Sequence, residues 1–177
     1  MTPFDNETRR EIKERLGPGI MEHPCVMRME QNMLEAGIEA SEVYRIEGSS
    51  PDRNLYFDVY SLRKWAHENI APNMTGLDVA RIQDLIKSGA VDLKRVEEIP
   101  FEKMKEPIII GVAAHENGSD AVLDGQHRYV AMALQASRYS DNIDQFPIVA
   151  RFIEPDEWQN FLIPRHIAVA MQMDASY

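Results

Sequence analysis

Asp124, Gly125, Gln126, His127 and Arg128 stand in a row between an apolar segment, Ala121-Val122-Leu123, and a helix-forming run, Val130 to Leu134. These residue types in this order suit the holding of a phosphate. A glycine can turn a strand sharply into a helix through φ > 0 and lets a ligand approach the backbone. The first helical turn offers backbone N–H groups and the positive end of the dipole. Arg128 adds a bidentate guanidinium, and His127 adds a hydrogen-bond donor or proton carrier. The candidate cradle is therefore Gly125, Gln126, His127 and Arg128, with the backbone N–H groups of Gln126 and His127 as its floor. A plain strand-to-helix turn, with Asp124 as the cap and Arg128 on a surface carboxylate, leaves unexplained why two cationic side chains open a helix, where the dipole disfavours them unless an anion is present.

Asp124 decides whether such a site does more than bind. A carboxylate beside a phosphate is adverse unless it binds Mg²⁺, takes a proton from a substrate hydroxyl, or points away to cap or orient a donor. Both a metal or base role and a capping role place aspartate at such a turn, and the residues alone leave the two open. The catalytic candidates are accordingly Asp124 and His127, with Asp124 also the candidate metal ligand. Glu106 precedes the next upstream strand and could serve as a second carboxylate acting as base, but Glu97, Glu98, Glu102, Lys103 and Lys105 around it favour a solvated loop. His115 and Glu116 favour a surface turn. His23, His67 and His166 show no metal-ligand spacing, so no zinc site is expected.

The elements that must position these groups follow from periodicity and punctuation. A helix is expected over 6–16, capped by Asp5 and stopped by Gly17-Pro18-Gly19, and another over 22–36 with Val26, Met29 and Met33 inward, Met27 and Leu34 alongside, and Gly37 at its end. Its methionines read as core filling. The alternating segments 43–46 and 55–59 predict a hairpin that joins the main sheet or covers its edge. Residues 60–69 predict a short helix. Thr75 is expected to begin another, with Leu77, Ala80, Ile82, Leu85 and Ile86 buried and Gly89 at its end. Val96 to Phe101 reads as extended. Ile108 to Ala113 suits a strand covered on both faces, paired antiparallel with Ala121–Leu123 through a turn at 116–120. A helix from Gln126 buries Val130, Ala133 and Leu134 and ends by Ser140. Ile148–Ala150 is a third core strand, and 155–162 and 164–173 read as helices, the first opened by Pro155.

The run Pro107-Ile108-Ile109-Ile110-Gly111-Val112, then Asp124-Gly125-Gln126-His127-Arg128-Tyr129-Val130-Ala131-Met132, then Phe146-Pro147-Ile148-Val149-Ala150-Arg151-Phe152, resembles the ParB/sulfiredoxin superfamily over about residues 95–163. The resemblance implies an α/β (α+β) fold, a small mixed sheet flanked by helices, with a helical and hairpin N-terminal extension. The core would be 95–177 and the extension, packed on it, 1–94. Members include DGQHR-motif proteins of DNA phosphorothioate systems, ParB partition proteins that bind CTP, sulfiredoxins that bind ATP and an ADP-dependent free-serine kinase. The resemblance thus implies a nucleoside di- or triphosphate ligand, with or without Mg²⁺, and allows hydrolysis or phosphoryl transfer. Asp124 matches the aspartate of the kinase-like branch. Sulfiredoxin activity is not expected, because Gln126 stands where those enzymes carry a nucleophilic cysteine, and an amide cannot attack as a thiolate does. One fold carries several chemistries, so the resemblance does not fix the reaction.

The chain has 177 residues, 44% of them hydrophobic and 27% charged, the proportions of an ordinary globular protein with one buried core. With 19 Lys and Arg against 29 Asp and Glu it carries a net charge of −10, which disfavours unspecific attachment to DNA. After Phe152 too little chain follows for both the helix-turn-helix and the dimerisation tail of a partition protein, so specific DNA binding is not expected. A nuclease would need clustered carboxylates, which Asp124, Asp120 and Glu116 supply only loosely. A single cysteine, Cys25, an acidic N-terminus without an apolar core, and no run of ~18 apolar residues predict a cytoplasmic protein without a membrane segment. The alternative to nucleotide binding is a non-enzymatic module that recognises a protein or DNA partner and keeps the DGQHR loop for structure.

Overall fold

A computed structural model describes residues 6–37, 42–139 and 141–170. The expected cap Asp5, the residue Ser140 and the far end of the last expected helix lie outside them. The fold is mixed α/β, with two small sheets among helices. The chain forms two compact units, one of Met1–Lys64 with Asp156–Tyr177 and the other of Trp65–Pro155. The boundaries thus fall after Lys64 and after Pro155, where the sequence suggests a single division after residue 94.

In the first unit, α1 (Asn6–Leu16) and α2 (Pro24–Ala36) follow the expected pattern. Pro24 opens α2 where a missing N–H costs nothing, and the His23 ring accepts a hydrogen bond from the Cys25 N–H at 3.1 Å. Gly37, at φ 82°, ends the helix and its N–H returns to the Met33 carbonyl. Val26 and Met29 are buried, but Met27 and Leu34 are more than half exposed, so only part of the methionine set fills the core. Strands β1 (Val43–Ile46) and β2 (Leu55–Asp58) pair antiparallel, Val43 opposite Asp58, and form a two-stranded sheet of their own. They do not extend the larger sheet as expected. The core here is Ile12, Val26, Met29, Tyr56, Ile163 and Ile167, the last two lying near and within α8 (Arg165–Ala170). Phe57 meets Trp158 of α7 (Pro155–Trp158) edge to face, with ring centroids 5.8 Å apart.

The polar centre of this unit is Asp58, 2% exposed, at the start of α3 (Val59–Asn69). Its carboxylate accepts from Arg28 Nε at 2.9 Å, from the Ser61 N–H and Oγ, and from Asn32 Nδ2. Arg28 also donates to the Asn160 carbonyl, while its second terminal nitrogen is buried with no hydrogen-bond partner.

In the second unit the sheet runs β3 (Asn73–Gly76), β6 (Pro147–Ile153), β4 (Ile108–Gly111), β5 (Ala121–Asp124). β6 is antiparallel to β3 and parallel to β4, and β4 is antiparallel to β5. β4 and β5 are buried throughout, as their continuous apolar runs require. Two expectations are corrected. Asn73–Gly76 is a strand, so the helix expected from Thr75 starts later, as α4 (Val79–Lys87), because Asp78 caps it by accepting from the Ala80 N–H at 2.9 Å. Within it Leu85 is buried, whereas Ala80 and Ile86 face solvent. Val96 lies not in a strand but in α5 (Leu93–Glu97), capped by Asp92, and Phe101–Lys105 is a 3₁₀ turn. Helix α6 (Gln126–Ser137) packs against α4, α5 and that turn, burying Tyr129, Val130, Ala133 and Ala136, while Leu134 is 44% exposed. No helix among the described residues is long and apolar enough to cross a membrane.

Replacing Asp58 by Ala should cost about 2–4 kcal/mol. That is discounted from the ~3–5 kcal/mol of a fully buried broken pair, because Arg28 partly reaches water. Urea unfolding of Asp58→Ala against the native chain measures it, and a loss below about 1 kcal/mol would deny this network its structural role.

Candidate functional site

The expected site residues converge at the junction of β5 and α6. On β5 the pairing with β4 steps from Val122 opposite Ile110 to Asp124 opposite Ile109, so Leu123 is an extra, bulged residue. Bulges of this kind re-aim the side chains that follow. Gly125 then takes φ 87° and ψ 28° as the N-cap of α6 and contributes no capping side chain. Asp124 therefore does not hold the N-cap position. A Cβ at Gly125 would lie 2.7 Å from Ile108 Cδ1 and 2.8 Å from an Arg128 guanidinium nitrogen, so the glycine is required both for the turn and for the guanidinium lying against it.

Three consecutive side chains of the first turn each hold a different segment. His127 Nε2 accepts a hydrogen bond from the Asp92 N–H at 3.1 Å, at the cap of α5. That nitrogen acts as the acceptor of the neutral ring, which makes Nδ1 its donor. Tyr129, fully buried, accepts at its hydroxyl from the Asp78 N–H at 2.9 Å, at the cap of α4. Between them Arg128 places one terminal nitrogen 3.1 Å from Glu106 Oε2 and the other 3.7 Å from Asp124 Oδ2. Gln126, where a catalytic thiol would stand in a sulfiredoxin, donates its side-chain amide to the Val122 carbonyl at 3.2 Å.

Arg128 is thus not the open cation that the sequence suggested. Its side chain is 14% exposed and lies between the carboxyl of Asp124, 10% exposed, and that of Glu106, 64% exposed. Glu106 is both solvated, as expected of its loop, and a partner of the motif. The sequence left Glu106 open between a cleft carboxylate and a solvated loop, and its pairing with Arg128, 22 residues away, is the part that local spacing does not show. Asp78, Asp92 and the Tyr129 hydroxyl were missed as members of the site. The first two were detectable as helix caps, Asp followed by an apolar helical stretch.

The other candidates lie elsewhere. Asp120 accepts from the Ala113 N–H at 2.9 Å and pairs with Arg81 at 3.2 Å, holding the turn between β4 and β5, where Ala113 has φ 53°. His115 is half-buried in that turn, and burial pushes its pKa down; the carboxylates of Asp84 and Asp120 oppose this and Arg81 reinforces it. Cys25 is buried in the first unit, where loss of hydration raises its thiol pKa, Arg28 lowering it and Asp58 raising it by less. A thiol so placed is a poor nucleophile. Among the described residues no group of three or more His, Cys, Asp or Glu side chains is placed to hold a metal ion. An open depression lined by Arg9, Arg10, Lys13 and Glu14 lies on α1 and includes none of the motif. Comparison of the chain with protein-family models, with curated proteins and with solved structures finds no match in any of the three.

Two outcomes follow from this geometry. Gly125→Ala forces a Cβ into the left-handed region and against Ile108, and should lower stability by about 1–3 kcal/mol, read as a drop in Tm of several degrees. The folded chain disfavours protonated His115 more than the unfolded chain does. Its contribution is therefore full above the ordinary histidine pKa of about 6.5 and is lost as pH falls through that value towards the lower folded one. His115→Gln should flatten the fall of Tm between about pH 7 and 5, and an unchanged slope would contradict the assignment.

Proposed function

We propose that the β5–α6 junction binds the phosphate of a nucleoside di- or triphosphate, as the resemblance to ParB/sulfiredoxin-like proteins implies, and that Arg128 is its principal contact. One observation carries the reading: the Arg128 guanidinium, at the positive end of the 12-residue α6, already holds a carboxylate oxygen at 3.1 Å, and the side chain providing it is largely solvent-exposed. An oxyanion on the ligand would take that oxygen's place and keep the same charge-assisted geometry. Gly125 adds backbone approach at the turn, since no side chain stands there.

Asp124 is fixed beside the guanidinium, and its role in this reading is to orient Arg128. With two carboxylates and one guanidinium the junction is net negative before any ligand arrives. A phosphate would therefore bring a counter-ion such as Mg²⁺, for which Asp124 would be the protein ligand, and which would neutralise phosphate charge. Asp124 as proton acceptor and His127 as acid or orienting donor stay open as roles in phosphoryl transfer. With Nε2 accepting from the Asp92 N–H, the His127 role would fall to Nδ1, which carries the proton of the neutral ring.

A second reading is favoured by the same contacts. His127, Arg128 and Tyr129 each fasten a separate segment, which is what a purely structural clasp in a partner-binding module would do. The two readings separate in isothermal titration with ATP, ADP, CTP and GTP, with and without Mg²⁺. Nucleotide binding predicts heat for at least one of them and a loss of about tenfold or more in affinity for Arg128→Ala. Absence of heat from folded protein in all eight titrations would leave the clasp alone.

A further inference from the structure

We propose that Glu106 is a built-in competitor for the ligand of Arg128, a latch that closes the junction until an external oxyanion displaces it. The proposal rests on the phosphate-binding reading and concerns how that site is regulated.

The two carboxylates on Arg128 are unequal. Asp124 is four residues away on the same strand-to-helix turn and is almost fully buried, with an oxygen 3.7 Å from the guanidinium, so a movement of the Glu106 loop does not carry it away. Glu106 comes from a different segment, with 64% of its side chain in water and a single terminal-nitrogen contact. Exposed pairs of this kind form and break at little net cost, because water and salt compete for both partners. The backbone around Glu106 suits a hinged strap. It follows the 3₁₀ turn Phe101–Lys105 and precedes Pro107, and its own N–H donates to the Lys103 carbonyl at 3.2 Å. The strap is bounded by Pro100 and Pro107, whose fixed φ confines its movement to the residues between them. Met104 anchors the strap on the core, whereas Phe101 is 62% exposed and carries the Lys105 ammonium 5.3 Å from its ring centre, so the part left to move is the end that holds Glu106.

A phosphate oxygen at Arg128 would meet Glu106 as a like charge at the same nitrogen, and both cannot remain. Binding therefore releases Glu106, and the affinity measured for the native chain is that of the open junction reduced by the fraction of molecules that are open. Neutralising residue 106 removes both the competitor and the repulsion.

The test is titration of ADP and of inorganic pyrophosphate into the native chain, Glu106→Gln and Glu106→Ala, alongside limited trypsin cleavage at Lys103. The latch predicts that both variants bind roughly two- to fivefold tighter than the native chain, since a surface ion pair spans about that factor. It also predicts that ligand speeds cleavage at Lys103 in the native chain and that both variants are cut quickly without ligand. If the native chain binds while the variants bind equally or more weakly, the latch is wrong and the phosphate site stands. If neither the native chain nor the variants bind either probe, the phosphate reading fails and the latch falls with it.

Discussion

The second unit depends on one turn of backbone, the left-handed Gly125 that sends β5 into α6. Because the glycine has no side chain, the helix starts at once, and its first-turn residues fan outwards to three different segments. His127 reaches the cap of α5, Tyr129 reaches the cap of α4, and Arg128 reaches the approach to β4. Each contact satisfies a polar group that the local chain alone would leave to water, and two of them end on the N–H of an aspartate that is itself capping a helix. The loops around the sheet are thus held by the same short sequence that carries the candidate chemistry.

This double duty explains the electrostatics of the junction. A cation at a helix start works against the dipole, and the fold offsets that with Asp124 close by and Glu106 from a distance. Its two anchors differ greatly in burial, so they are not equal in how easily each lets go. The first unit shows the contrasting case. There Arg28 meets an aspartate that is 2% exposed and already bonded to Ser61 and Asn32, a network that ties α2, β2 and α3 together around a buried acceptor.

Much of this architecture was legible in the chain. The helices before Gly17 and Gly37, the 43–46 and 55–58 hairpin, and the order of strand, strand, helix and strand from 108 to 153 follow from glycine punctuation, alternation and unbroken apolar runs. The failures share a cause. Asn73–Gly76 is short, partly exposed and chemically nondescript, and it is a strand only because β6, more than seventy residues later, lies beside it. Thr75 looked like a helix start because the competing cap, Asp78, stands only three residues on. Val96 looked extended for want of weighing Asp92. At the site, composition identified which residues would meet but not their pairing, since Glu106 and Asp92 reach the motif through tertiary folding rather than spacing.

The order of the two units along the chain bears on synthesis. Residues 65–155 are continuous, so that unit has all its strands once β6 has left the ribosome. The first unit is split: Ile12, Met29 and Tyr56 belong to a core that includes Ile163 and Ile167, roughly a hundred or more residues downstream. Residues 12–56 must therefore wait, with apolar surface uncovered, until residues 163–167 have emerged. The segment made before residues 65–155 is thus completed after them, and a nascent chain stalled at Pro155 would present this unfinished core to chaperones.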